Sequence, residues 1–373
     1  MRDVYVIAVD TIKFGKHMDK SIKDLAIMTA TGCLKDAGLT KNDIQALWFA
    51  NAGWGEKGQM TIRGQVALKG MGIEGIPITN VENACAGGST ALHHAWYGVA
   101  GGLYDIAMAV GAEKLYYSNK NLVFQGFLGG IDIENVLPIA NALSAFGLTD
   151  DEKVKVEQFK QKYQKKAVNE DKGAKKAKVK ESRWKKYRDQ FTSAIVLGEK
   201  IGYDTVRKLA KLTAGDHSPF MDVYGYACRQ HMKKYGSTAE QLAMIASKNH
   251  FNSTLNPNAQ YCFEVPVEKV LSDRIVSWPL TRSMCAPIGD GAASAILCSE
   301  AMVKKLGLTG QAVKIRASIL GSAIRTSFDS DIPEIGERLS KQAYEKAGVG
   351  PQDINVAEVH DASAFGEVVQ AEN

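Results

Sequence analysis

No apolar run in this chain of 373 residues approaches the roughly 20 residues that a bilayer-spanning helix needs, so no membrane partner is expected. The amino terminus, Met1-Arg-Asp-Val-Tyr-Val-Ile-Ala-Val-Asp10, enters a strand pattern at once and shows no secretory h-region with a small-residue cleavage site. The expected location is cytoplasmic. The six cysteines (33, 85, 228, 262, 285 and 298) contain no Cys-x-x-Cys pair, which argues against a disulfide framework and against a zinc site. They are expected as free thiols. His217, His231 and His250 lack ligand spacing, so no metal is expected, and the absence of a P-loop or a strand-linked Gly-x-Gly-x-x-Gly argues against nucleotide-dependent chemistry. A hydrophobic content of 45% and a charged content of 23% are those of an ordinary globular protein whose length allows two or three units.

Net positive charge is confined to one segment. Residues 151–200 hold 16 Lys/Arg against 8 Asp/Glu, so the remainder of a chain of net charge +5 is slightly acidic. Such a run reads first as a solvated helical face and second as an attractor of an acidic ligand; nucleic acid is not the expected partner. Apolar residues at Val156, Phe159 and Tyr163, and again at Trp184, Tyr187 and Phe191, predict two amphipathic helices around a polar link from Asn169 to Lys180. The segment reads as an inserted cap.

The stretch around which the chain is organised runs from Gly75 to Lys114. Ile76 to Val81 predicts a strand, a small-residue helix follows, and Ile106 to Ala112 predicts a second buried strand. The helix face of Ala84, Gly87, Gly88, Ala91, Ala95 and Gly98 is too small to fill a core, so something must approach its backbone closely. Cys85 falls at the start of that helix. Unpaired N–H groups and the helix dipole favour a thiolate there, and the same amides could hold an oxyanion. A small buried cysteine in an Ala/Gly-rich turn is the alternative at this point. His93 and His94, further along the helix, read as packing residues.

An internal repeat is also visible. Strand Val4 to Val9, helix Ser21 to Ala37 closed by Gly38, and strand Asp43 to Ala50 are expected in the first copy. Lys35 to Ala52 aligns at an offset of 310 with Glu345 to Ala362, and the first strand then falls on Lys314 to Leu320. His360 ends the apolar run Ile354 to Val359, expected as a strand. A full second copy would continue beyond Asn373, so the expectation is a truncated second half, with completion of the sheet by another polypeptide as the alternative.

Asn83-Ala-Cys-Ala-Gly-Gly-Ser-Thr-Ala-Leu92 with Ala109-Val-Gly-Ala-Glu-Lys114 resembles the nucleophile loop of the thiolase superfamily. Cys285-Ala-Pro-Ile-Gly-Asp-Gly-Ala-Ala-Ser-Ala-Ile-Leu297 is similar to the strand that closes the first half of that fold. His360-Asp361-Ala362-Ser363 resembles the His-Asp-Cys-Phe loop of the sterol-carrier-protein-2 type and its bacterial and archaeal relatives. Tyr224-Gly-Tyr-Ala, Lys234 to Ala243, Lys248-Asn-His and Leu255 to Ala259 add weaker matches.

The resemblance implies an α/β fold of duplicated βαβαβαββ halves layered α-β-α-β-α, with the second half incomplete. It divides the chain into a first half (1–119 with 280–305), a cap (120–279, with the Lys-rich part at 150–213) and a second half (306–373). It implies an acyl-CoA C-acyltransferase in which Cys85 takes up an acyl group and His360 donates to an enolate oxygen. Coenzyme A is then a substrate, and no resident cofactor is implied. A homodimer is implied, with a small zinc-ribbon and OB-fold protein as a possible partner. The family's Gly-His-Pro and Cys-x-Gly loops have no counterpart, so these residues are expected to lack a base for Cys85. A retro-aldol lyase of the same fold and a non-catalytic scaffold are the rival expectations.

Overall fold

The computed structural model describes residues 1–117, 147–164, 219–324 and 334–373. Its centre is a six-stranded sheet. The strands are β1 (Val4–Thr11), β2 (Ala46–Ala50), β3 (Ile78–Val81), β4 (Ile106–Glu113), β7 (Gly291–Ser299) and the two-residue β8 (Val313–Lys314), in the spatial order β3-β2-β4-β7-β1-β8. β2 runs parallel to both β3 and β4, whereas β7 is antiparallel to both β4 and β1. A small ribbon of β5 (Ile275–Ser277) and β6 (Leu280–Thr281) stands apart.

Helices cover both faces of the sheet. α1 (Ile22–Asp36) and α2 (Arg63–Leu68) share a core cluster with Ile7, Leu47, Phe49, Met108 and Ile296. α3 (Gly87–Ala100) packs on the other face, against Val4, Ala50, Ala107, Ala109 and Leu297. Alternate residues of β2 and β4 therefore point to opposite helical layers, which is why both strands read as continuous apolar runs. In β1 the alternation changes phase. Val4 faces α3, the register slips between Val6 and Ala8, and Ile7 and Ala8 both reach the α1 side.

α1 begins where the sequence predicts, with Ser21 and Asp24 in a capping box, and closes at Gly38 with φ +64°. The repeat is legible in the backbone. α9 (Ile335–Ala347) closes at Gly348 with φ +68°, and the 3₁₀ turns Lys41–Asp43 and Pro351–Asp353 coincide at the offset of 310. Two expectations fail in the second copy. Of the expected strand Lys314 to Leu320 only Lys314 falls in a ladder, as the end of β8, and Ile354 to Val359 forms no ladder among the described residues. A strand exists only through hydrogen bonds to a neighbour, and among the described residues this run has none beside it; Val356 is 81% exposed.

A third core cluster gathers α4 (Asp150–Tyr163), α5 (Pro219–Tyr235), α6 (Ala239–Ser253), α7 (Val267–Ser272) and α10 (Ala364–Glu372). Val156 and Phe159 face it from α4, as the helical spacing predicts; the expected second helix around Trp184 and the link from Asn169 lie outside the described residues. α8 (Glu300–Leu306) follows β7 directly.

Asp290 ties the sheet to its loops. Its carboxylate is fully buried and accepts from the N–H groups of Leu115 (2.8 Å), Tyr116 (2.7 Å) and His17 (3.0 Å), with Lys114 Nζ at 3.2 Å. Asp290→Ala would leave those donors without an acceptor, and the expected loss of stability, measured by urea unfolding of the whole chain, is about 3 kcal/mol.

Candidate active site

The small face of α3 is met by backbone and by small side chains of the sheet, as expected. A Cβ on Gly87 would lie 3.6 Å from Cβ of Ala50, and Gly111 stands against Cα of Gly88. Gly98 fits against Trp48. This approach carries the start of α3 over the carboxyl ends of β2 and β4. Ala84, expected on the same face, precedes the helix instead, in a 3₁₀ turn (Ala84–Ala86) at φ +42°. A left-handed alanine costs about 1–2 kcal/mol. Here its N–H donates to Glu82 Oε1 at 2.7 Å, while Asn83 Nδ2 donates to Thr90 Oγ1 at 2.9 Å. The turn leaves Cys85 exposed at the head of a 14-residue helix.

His360 comes to Cys85 from the other repeat, 275 residues later in the chain. The imidazole stands beside the thiol, and the interaction of the two is the main cause of two opposed shifts: Cys85 is lowered from the ordinary thiol value and His360 is raised. The N–H of Cys85 itself and the charge of His360 add to the first, burial and Glu113 oppose it. The sequence offers no base for Cys85; the structure brings the imidazole of His360 beside the thiol. Four other thiols move upward. Burial pushes Cys33 and Cys228 to about 12, and Cys285 and Cys298 to about 11.

Three further groups border the pair, none of which spacing alone singles out. Glu113, at the end of β4, accepts from the N–H groups of Ala52 and Gly53, and burial raises its carboxyl. Asn51 completes that loop, donating to Ala112 O at 2.8 Å and accepting from the Trp54 N–H at 2.9 Å. Tyr224 of α5 is raised first by burial and then by the nearby Cys85. Asp361, beside His360, is raised by burial and by Glu367; its Oδ2 accepts from Asn249 at 3.1 Å. Tyr224 and Asn249 lie in motifs that resemble the family's, but the sequence carries no signal of what they touch.

The remaining histidines are structural in their contacts. His93 Nδ1 meets Ser318 Oγ at 2.8 Å, His231 bridges Ser237 and Glu372, and His250 stacks among Tyr261 and Phe263. His217 lies outside the described residues. Among the described residues no group of three or more His, Cys, Asp or Glu could hold a metal ion, and no helix is long and apolar enough to cross a membrane.

Known proteins resemble this chain over most of its length. The family model of the thiolase N-terminal domain matches residues 4–181. The benzoylsuccinyl-CoA thiolase subunit BbsB of Thauera aromatica is 29% identical over 376 residues, covering 100% of this chain and 75% of its own. An acetyl-CoA acetyltransferase of Methanothermobacter thermautotrophicus is 27% identical over 374 residues, covering 100% and 77%. Human sterol carrier protein 2 is 30% identical over 381 residues, and this chain spans 56% of its length. Among solved structures, human mitochondrial 3-ketoacyl-CoA thiolase in complex with CoA superimposes with a TM-score of 0.58 at 14% identity, covering 100% of this chain and 82% of that one. The Ltp2-ChsH2(DUF35) aldolase gives 0.60 at 16%, covering 99% and 76%. The structural likenesses show a common α/β fold. Fold and relatives define an acyltransferase enzyme. Over its whole length the chain is similar to members of the thiolase superfamily, and residues 4–181 match that superfamily's N-terminal domain.

The lowered pKa of Cys85 makes a prediction about alkylation. Thiolate persists to lower pH, so iodoacetamide should modify Cys85 below the ordinary thiol range. His360→Ala removes the largest cause. Its alkylation profile should move to higher pH, slowing modification at pH 7 by about tenfold for every pH unit that the profile moves, as read by peptide mass spectrometry.

Proposed function

We propose that the chain is an acyl-CoA C-acyltransferase that cleaves a 3-oxoacyl-CoA with coenzyme A, or runs the reverse Claisen condensation, through an acyl group carried on Cys85. The observation that carries this reading is the Cys85–His360 contact at the head of α3. His360 takes the thiol proton, and Sγ attacks the 3-oxo carbon. The bond between C2 and C3 breaks. The acyl group stays on Sγ as a thioester, and the acetyl-CoA enolate leaves. His360, now an imidazolium, donates to the enolate oxygen and is the proton source that the site offers to its carbon. The thiol of coenzyme A then attacks the Cys85 thioester and gives up its proton to the imidazole; acyl-CoA departs and Cys85 is regenerated.

Coenzyme A is a substrate in this scheme. The relative named benzoylsuccinyl-CoA thiolase supports an aromatic or branched oxoacyl group, and the neighbour named with a DUF35 component supports a small partner protein of the zinc-ribbon and OB-fold kind. A homodimer is part of the proposal, supported by β3, which forms an edge of the sheet among the described residues. A retro-aldol lyase has no use for a cysteine nucleophile, and a scaffold has none for a thiol paired with an imidazole.

The test is the intact mass of the protein before and after brief exposure to a panel of 3-oxoacyl-CoA esters. An adduct of acyl mass that is absent in Cys85→Ser is expected. No adduct from any ester, or one that survives Cys85→Ser, would remove the reading and leave the scaffold in its place.

A further inference from the structure

The backbone at His360 is held in an unusual way. Ile354 to Val359 makes no ladder among the described residues, yet both backbone polar groups of His360 meet one side-chain amide. The His360 N–H donates to Gln370 Oε1 at 3.2 Å, and Gln370 Nε2 donates to the His360 carbonyl. Exchange of both N–H···O bonds with a single residue is what a neighbouring strand supplies in an antiparallel hydrogen-bonded pair. Here the amide of Gln370, projecting from the last turns of α10, takes the place of that strand.

The rest of the loop is consistent with a bracket of this kind. A Cβ on Gly366 would lie 3.3 Å from the His360 carbonyl oxygen, a tight contact that glycine at 366 avoids as the first turn of α10 comes close. Beyond His360, the Ala362 carbonyl accepts from the Ala286 N–H at 3.0 Å, and Asn249 Nδ2 reaches Asp361 at 3.1 Å and Glu367 at 2.8 Å. These contacts fix the residues after His360. Gln370 fixes His360 itself.

We propose that Gln370 is a positioning residue for the Cys85–His360 pair: its amide sets the backbone of His360 and so the direction from which the imidazole meets the thiol. The proposal rests on the catalytic roles proposed for Cys85 and His360. Gln370 is exposed and touches neither reacting atom, so its replacement changes the aim of the imidazole and leaves the groups around the pair in place. Those groups are Glu113 from β4, Tyr224 from α5, and Asp361 and Glu367 with Lys248 and Asn249 on the α10 and α6 side.

The experiment is the pH profile of Cys85 alkylation by iodoacetamide in the whole chain, for the parent protein, His360→Ala and Gln370→Leu, with circular dichroism to confirm folding. Gln370→Leu should move the profile toward that of His360→Ala, with an unchanged spectrum and with modification at pH 7 slowed by about tenfold per pH unit of displacement. A parent-like profile in Gln370→Leu, beside a shifted one in His360→Ala, would overturn the positioning role and leave the catalytic pair standing. A parent-like profile in His360→Ala would remove the pair, and the role of Gln370 with it. Should Gln370→Leu fail to fold, Gln370→Asn, which draws the amide back by one methylene, is read by the same outcomes.

Discussion

The closeness with which α3 lies on the sheet is the constraint from which the site follows. Gly87 and Gly88 allow the helix start to rest on Ala50 and Gly111, so the head of α3 sits above the ends of β2 and β4 rather than beyond them. The tightest place on this face is Gly98, where a Cβ would stand 3.0 Å from the Trp48 ring; at Gly87 and Gly111 it would meet Ala50 at ordinary van der Waals distance. The left-handed turn at Ala84 rests on the same packing. It is held by Glu82 and followed by a helix whose position is already set by packing, so the strain is confined to one residue.

A second element of control is electrostatic. Cys85 faces an imidazole, while the carboxyl of Glu113 stands behind the loop that β2 and β4 share. The imidazole draws the thiol toward its anion, and the carboxylate opposes this. The burial that raises the Glu113 carboxyl weakens that opposition by favouring its neutral form. The contrast with Cys33, Cys228, Cys285 and Cys298 is instructive, since burial moves all four the other way, and outweighs the charge of Arg229 beside Cys228. One cysteine is set apart by its neighbour, not by its own type.

Much of this was legible in the residues. Helical spacing from Ser21 to Ala37 announced α1, the Gly38 and Gly348 closures announced the repeat, and the run of Ala and Gly after Cys85 announced a helix approached by backbone. Local signals of this kind are carried by a few neighbouring residues, so they survive in one dimension. Ile354 to Val359 misled for the converse reason: apolar, β-branched residues permit a strand, but only a hydrogen-bonding neighbour makes one. Gln370 and Asn249 were illegible because a side-chain amide has no periodicity and its partner lies in another element. The meeting of Cys85 with His360 was legible only as two separate motifs, since nothing in either run states that the imidazole reaches the thiol.

The place of β7 in the sheet has a consequence for synthesis. β7 lies between β4 and β1, the middle of a sheet whose other principal strands all precede residue 114. A ribosome that has finished β4 must add about 180 residues before β7 exists, which at 5–20 residues per second takes about 10–40 s. Throughout that interval β1 and β4 each present an unfilled edge, and the buried carboxylate that ties them together, Asp290, has not been made. The first half of this enzyme therefore cannot close as it emerges. It waits for the strand that returns, and the nascent chain depends in that interval on whatever keeps two open strands from finding a neighbour of their own.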